Sequence, residues 1–208
     1  MIWSDFVPKD IRDLYEVKDY RHAAAILAHE FPIEYKEICQ ALRDFRITRE
    51  DIRKPGGNES TIPKKLSSFL RPLGWDEKQL QSRMIADDVE VHQDTHKVDY
   101  LKGRIAFDME WNSKDQTFDR DLFAFRTFFD YDRISVGVLV TRSNDLDSLF
   151  NEMGESIKKK YGASTTHMNK LLPRLYAGRN GGCPVLVFGI TKKLVDNRYD
   201  SQEKNIAS

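Results

Sequence analysis

Cysteine is scarce in this chain: Cys39 and Cys183 are the only two in 208 residues. They lie far apart, without metal-ligand spacing, so a reducing cytoplasm is the expected compartment and a thiol mechanism is not. Histidine is nearly as sparse and forms no cluster. His22 and His29 read as helix-surface residues, and His92 and His96 fall in what reads as a polar loop. No apolar run approaches the roughly 20 residues that cross a bilayer. The opening MIWSDFVPKD lacks the basic-then-apolar order of a secretory signal. There is no internal repeat, no low-complexity linker and no net charge. The zero sum hides an asymmetry, however. Acids outnumber bases between Asp76 and Asp132, whereas residues 157 to 204 hold ten Lys/Arg against three Asp/Glu. Two readings fit: a cation site beside a polyanion-binding surface, or one element with a solvated basic face.

What is present is a pattern of alternating helices and strands. Residues 19–30 and 33–45 read as two helices broken at Phe31-Pro32, the second with an apolar stripe of Ile33, Ile38, Ala41, Leu42 and Phe45. RKPGGNES (53–60) is turn-rich, and the short helix after it ends at Pro72 and Gly74. A hairpin is expected over 98–111, followed by an aromatic amphipathic helix over 117–130 with Thr117 as its cap. ISVGVLVTR (134–142) is an uninterrupted apolar run, the pattern of a strand covered on both faces. Helices around 145–159 and 166–177, a glycine-rich turn and a second buried strand, CPVLVFGI (183–190), complete it. The expectation is one α/β domain over 1–208 with a mixed central β-sheet flanked by helices. It has a helical N-terminal part (about 1–50), the hairpin, and a closing part over 160–191.

The hairpin DYLKGRIAFDMEW carries acids at Asp99, Asp108 and Glu110. A two-residue turn at Lys102-Gly103 would pair Leu101 with Arg104, Tyr100 with Ile105 and Asp99 with Ala106. Alternation then puts Ile105, Phe107, Met109 and Trp111 on one face. Asp108 and Glu110 fall on the other, with Asp99 diagonal to Asp108. Like charges held so close are destabilising unless a cation or a proton compensates them. Oxygen ligands suit magnesium, whereas zinc prefers nitrogen and sulfur. The competing reading is a hairpin whose polar face simply meets water.

The same residues resemble the active-site signature of PD-(D/E)XK nucleases: an Asp, eight residues, an acid, one residue and a polar residue. The resemblance is closest to the BglII/BstYI group of type II restriction endonucleases. It extends through VDYLKGRIAFDMEW, DRDLFAFRTFF, RISVGVLVTR and YGASTTHMNKLLPRLYAGRNGGCPVLVFGI, from about residue 14 to 191. Two positions depart from the group: Asp108 stands where Glu is common, and Glu110 where Gln is frequent. The resemblance implies a restriction-endonuclease-like core and Mg²⁺-dependent hydrolysis of double-stranded DNA at a short palindromic site. It also implies one or two Mg²⁺ per subunit, a homodimer, and a cognate methyltransferase in the same host that is not a stable partner. Asp99 and Asp108, with the Met109 backbone carbonyl, would hold the metal, and Glu110 would add a ligand or accept a proton from the attacking water.

For DNA contacts, ASTTHMNK (163–170) offers Ser164, Thr165, Thr166, His167 and Asn169 near a helix start, with Lys170 and Arg174 one and two turns on. The same Ser, Thr and Asn side chains equally suit capping. The resemblance places Asn58 and Lys64 near the scissile phosphate, though a turn residue and a solvated lysine look the same. Asn112 and Lys114 follow the third acid and are weaker candidates. Two further functions share the core: a structure-specific or repair nuclease, and a catalytically silent DNA-binding module.

Overall fold

The computed structural model describes residues 2–55 and 60–196, without the side chains of 82–86 and 91–95. A short helix, α1 (Lys9–Leu14), enters β1 (Tyr15–Tyr20), so the helix expected from residue 19 begins later. Tyr15 and Val17 point into the core while β1 pairs antiparallel along its length with a later strand. Arg21 and His22 then turn the chain with φ of 55° and 62°. The Asp19 carboxylate accepts the Ala24 N–H at 2.8 Å, serving the open start of α2 (Ala23–Glu30). Asp19 therefore belongs to the strand, one residue before its end, and not to the helix.

The helix α3 (Pro32–Asp44) begins on its proline, where the missing N–H costs nothing. It buries Tyr35, Ile38, Cys39, Ala41 and Leu42, but Ile33 is 70% exposed. Five residues before Ile38 is about 140° around the helix, so Ile33 does not share that stripe. Next come β2 (Ile47–Thr48) and α4 (Arg49–Arg53), where Thr48 and Asp51 cap each other reciprocally. The helix α5 (Thr61–Leu70) ends through a 3₁₀ turn at Gly74, whose φ of +82° suits a residue without Cβ.

The long hairpin of β3 (Asp76–Ala86) and β4 (Val89–Lys102) replaces the polar loop expected around His92 and His96. Its turn, Asp87-Asp88, holds both residues at positive φ (49° and 63°) without a glycine to announce it. After β5 (Ile105–Glu110) comes α6 (Thr117–Asp130), with Gln116 at the cap position expected for Thr117. Beyond β6 (Val136–Arg142), the helix expected around 145–159 divides at Gly154 into α7 (Leu146–Glu152) and α8 (Glu155–Lys160). Then follow α9 (Met168–Tyr176), a turn with Gly178, Gly181 and Gly182 at positive φ, β7 (Val185–Ile190) and β8 (Val195–Asp196).

The six-stranded sheet runs β1-β7-β6-β5-β4-β3. Its centre, β5-β6-β7, is parallel and its flanks antiparallel, as expected of a mixed sheet; β2 and β8 make a separate parallel pair. Helices cover both faces, which explains why the central strands read as continuous apolar runs. On one face Ile105, Phe107 and Met109 pack with Val138, Phe188 and residues of α1–α5, α7 and α8. On the other, Ala106, Leu139 and Val187 meet Phe118, Leu122, Phe125 and Phe128 of α6 and Leu171 of α9. A Cβ on Gly137 would lie 2.6 Å from the Phe125 ring, so this glycine sets how closely α6 approaches the sheet. Among the described residues no helix is long and apolar enough to cross a membrane.

Candidate active site

Asp99, Asp108 and Glu110 sit where β4 and β5 part. The hairpin turn is Gly103-Arg104, one residue later than expected, and the ladder reads Lys102–Ile105, Leu101–Ala106 and Tyr100–Phe107. Every partner is shifted by two residues. An even shift leaves each side chain on its face, so the three acids stay together while Asp99 moves from diagonal to opposite Asp108. There the ladder gives way. The Asp108 carboxylate accepts the Asp99 N–H at 2.6 Å, and the Asp99 carboxylate accepts the Met109 N–H at 3.0 Å. The β3–β4 pairing also skips a residue here, from Asp76–Leu101 to Lys78–Val98. A bulge of this kind re-aims side chains at the point where regular pairing stops.

The electrostatics are those of like charges held together out of water. Asp108 is only 3% exposed, and its carboxyl is pushed well above the usual range by burial first and then by the charge of Asp99. Glu110 is raised to about 7, again mainly by burial, with Asp99 adding to it and a hydrogen bond from Ser113 opposing it. One oxygen of each, Asp108 Oδ2 and Glu110 Oε2, is buried without a hydrogen-bond partner. A buried polar atom left so is costly, and a cation would satisfy both. Among the described residues no three His, Cys, Asp or Glu side chains form a ready-made metal cage. Magnesium does not need one, since it takes one or two carboxylates and completes its shell with water and phosphate oxygens. The donor set present, hard oxygens with buried free lone pairs, fits that ion.

Sequence reasoning missed two residues of this region. Asp121 is a fourth acid, on the α6 face that covers Asp108 and Glu110. Its signal is its place among Phe118, Leu122, Phe125 and Phe128, the helix's apolar stripe. Arg142, at the end of the buried β6 run, is 1% exposed. It donates to the carbonyls of Trp111 (2.9 Å) and Thr166 (3.0 Å) and to Thr165 Oγ1, and lies over the rings of Phe150 and Tyr161. Burial pushes it down to about 10, so it keeps its charge at neutral pH.

Arg142 thereby ties the 163–167 segment to the exit of β5. Backbone bonds do the same: Asp115 N–H to Ser164 O and Thr166 N–H to Ser113 O, both 2.9 Å, beside a Lys114–Thr165 bridge. The residues expected to touch DNA therefore separate. Ser164 and Asn169 are exposed, as are Lys114 and Lys64. His167 is half-buried, its Nδ1 3.2 Å from Asn144 Oδ1, and burial lowers its pKa. Thr166 is fully buried and Thr165 is engaged by Arg142 and Gly162 O, so both build the loop instead of facing a groove. Lys170 lies 3.6 Å from Asp115. Arg174 is clamped by Asp119 (3.2 Å) and Asp115 (3.5 Å), which holds α9 to the start of α6 and occupies the charge expected to meet phosphate. Asn112 is half-buried with Oδ1 unpartnered, and Asn58 lies outside the described residues. A cavity of about 520 Å³ between α7, α8 and this loop, reaching Asn144, Phe150 and His167, lies apart from the acids.

A mixed six-stranded sheet flanked by helices, with acids where two of its strands part, defines a restriction-endonuclease-like α/β core. The family model for restriction endonuclease BglII/BglIII matches residues 15–190, and the chain belongs to that family. Membership makes it a nuclease-type hydrolase acting on DNA. No curated protein matches the chain significantly.

Proposed function

We propose that this protein is a Mg²⁺-dependent, type II site-specific endonuclease of the PD-(D/E)XK kind, cutting both strands of a short palindrome as a homodimer. The observation that carries this reading is the reciprocal bonding of Asp99 and Asp108 at the parted strands, with Asp108 Oδ2 buried and unpartnered. Each carboxylate is pinned by the other strand's backbone, so the pair is oriented before any ligand arrives.

In this reading Asp99, Asp108 and the Met109 carbonyl hold the metal. Magnesium supplies charge neutralisation at the scissile phosphate and an acidified water. Glu110, raised to about 7, is poised to accept a proton near neutral pH. Ser113 orients it through a side-chain hydrogen bond; Asn112, two residues on, is kept as a DNA-contact candidate. Ser164, His167 and Asn169 are the base-reading candidates, with Lys64, Lys114 and Lys170 toward phosphate and Asn58 kept as a candidate. A two-fold dimer would give each subunit one strand of a palindrome. A host carrying such an enzyme needs a methyltransferase to protect its own sites.

The test is incubation of the purified protein with unmethylated phage DNA, with and without Mg²⁺. Discrete, metal-dependent fragments with uniform ends support the proposal. A smear, or cutting only at lesions, would make it a structure-specific nuclease; no cutting with DNA binding retained would make it a binding module.

A further inference from the structure

The sequence pattern names three acids, but the fold buries a fourth beside them. Asp121 stands on α6 between Phe118 and Phe125, on the stripe that packs over the sheet face bearing Asp108 and Glu110. It is 7% exposed, and its Oδ2 has no hydrogen-bond partner. Asp108 and Glu110 are the largest charges acting on it, followed by the opposing influence of Arg120 and then by Asp99. An acid in an aromatic stripe is poor for packing, because burying a carboxylate without a partner is among the costliest substitutions a core tolerates. A leucine there would suit the helix better if only folding were served.

We propose that Asp121 is a positioning residue of the cation site, holding the divalent ion from the helix side through its water shell. The inference rests on the metal-dependent reading of Asp99 and Asp108. It also accounts for the uncompensated oxygens together: Asp108 Oδ2, Glu110 Oε2 and Asp121 Oδ2 are all buried and unpartnered in one region. In this assignment Asp99 and Asp108 hold the ion directly and Asp121 bonds the water that completes its shell. Because α6 carries this acid, the approach of the helix to the sheet, set at Gly137, also sets the reach of Asp121 to the site.

The test uses Mn²⁺, whose free concentration is read by electron paramagnetic resonance, on the full-length protein without DNA. Asp121→Asn keeps shape and removes charge; Asp121→Ser guards against a poorly folded first variant; Asp108→Asn is the reference. The expected result is weaker Mn²⁺ binding by about tenfold or more for both Asp121 variants, the scale of loss when an outer partner of a metal site is removed. The melting temperature without metal should rise for Asp121→Asn, and its gain on adding Mn²⁺ should shrink. Mn²⁺ affinity unchanged by the Asp121 variants but lost with Asp108→Asn would overturn this inference alone. Affinity unaffected by all three, or no Mn²⁺ binding by the parent protein, would overturn the metal-dependent reading as well.

Discussion

Replacing Glu110 by Gln should stabilise the metal-free protein, and the gain should depend on pH in a defined direction. Burial and Asp99 lift Glu110 from 4.5 to about 7. At roughly 1.4 kcal/mol per pKa unit, keeping it ionised at pH 8 costs about 3 kcal/mol. Glutamine removes that cost but places an amide against a buried position, for which about 1–2 kcal/mol is subtracted. The net gain at pH 8 is about 1–2 kcal/mol. For a chain of this length that is a rise of roughly 2–8 °C in melting temperature. The folded value is raised, so the wild type's advantage from a protonated Glu110 is complete below about 4.5 and lost as pH rises through about 7. At pH 5 the variant should therefore be no better than the wild type, and at pH 8 clearly better. Urea denaturation of both proteins in EDTA at pH 5, 6, 7 and 8 measures the difference. A stability gap that stays flat across this range would refute the electrostatic account of Glu110.

Gly137→Ala should cost about 1–3 kcal/mol, because its Cβ would stand 2.6 Å from the buried Phe125 ring. Thermal denaturation checks it, and an unchanged melting temperature would mean that α6 sits further from the sheet. Arg142→Met should cost about 3 kcal/mol by stripping the Trp111 and Thr166 carbonyls of their donor, and should loosen the 163–167 segment. Denaturation together with proteolysis of that segment reads both effects; a variant as stable and as protected as the parent contradicts the tether. The loss of Mn²⁺ affinity on changing Asp121 is the fourth expectation.

Most of the core was legible in the residues, for a physical reason: strands buried on both faces announce themselves as apolar runs. ISVGVLVTR and CPVLVFGI became β6 and β7, and TFDRDLFAFRTFFD became α6. The grouping of Asp99, Asp108 and Glu110 survived a turn misplaced by one residue, since the pairing error was even and side chains alternate with period two. The β3–β4 hairpin was hidden by its composition: polar residues on both faces and an Asp-Asp turn carry neither alternation nor the usual glycine. Asp19 and Tyr20 were drawn into a helix because the alanines that follow dominate the window. Arg174 looked like a phosphate ligand because its partners, Asp115 and Asp119, lie more than fifty residues earlier in the chain. Asp121 and Arg142 acquire meaning only when α6 closes over β5 and when the 163–167 segment docks on Trp111.

The central claim is that Asp99 and Asp108 form a metal-dependent phosphodiesterase site, and one paired measurement addresses it most directly. Wild type, Asp99→Ala and Asp108→Ala are compared on unmethylated DNA in Mg²⁺, with binding to the same DNA followed in Ca²⁺. The account predicts discrete fragments from the wild type, none from either variant, and DNA binding by all three. Mg²⁺-dependent cleavage retained by both variants would contradict it.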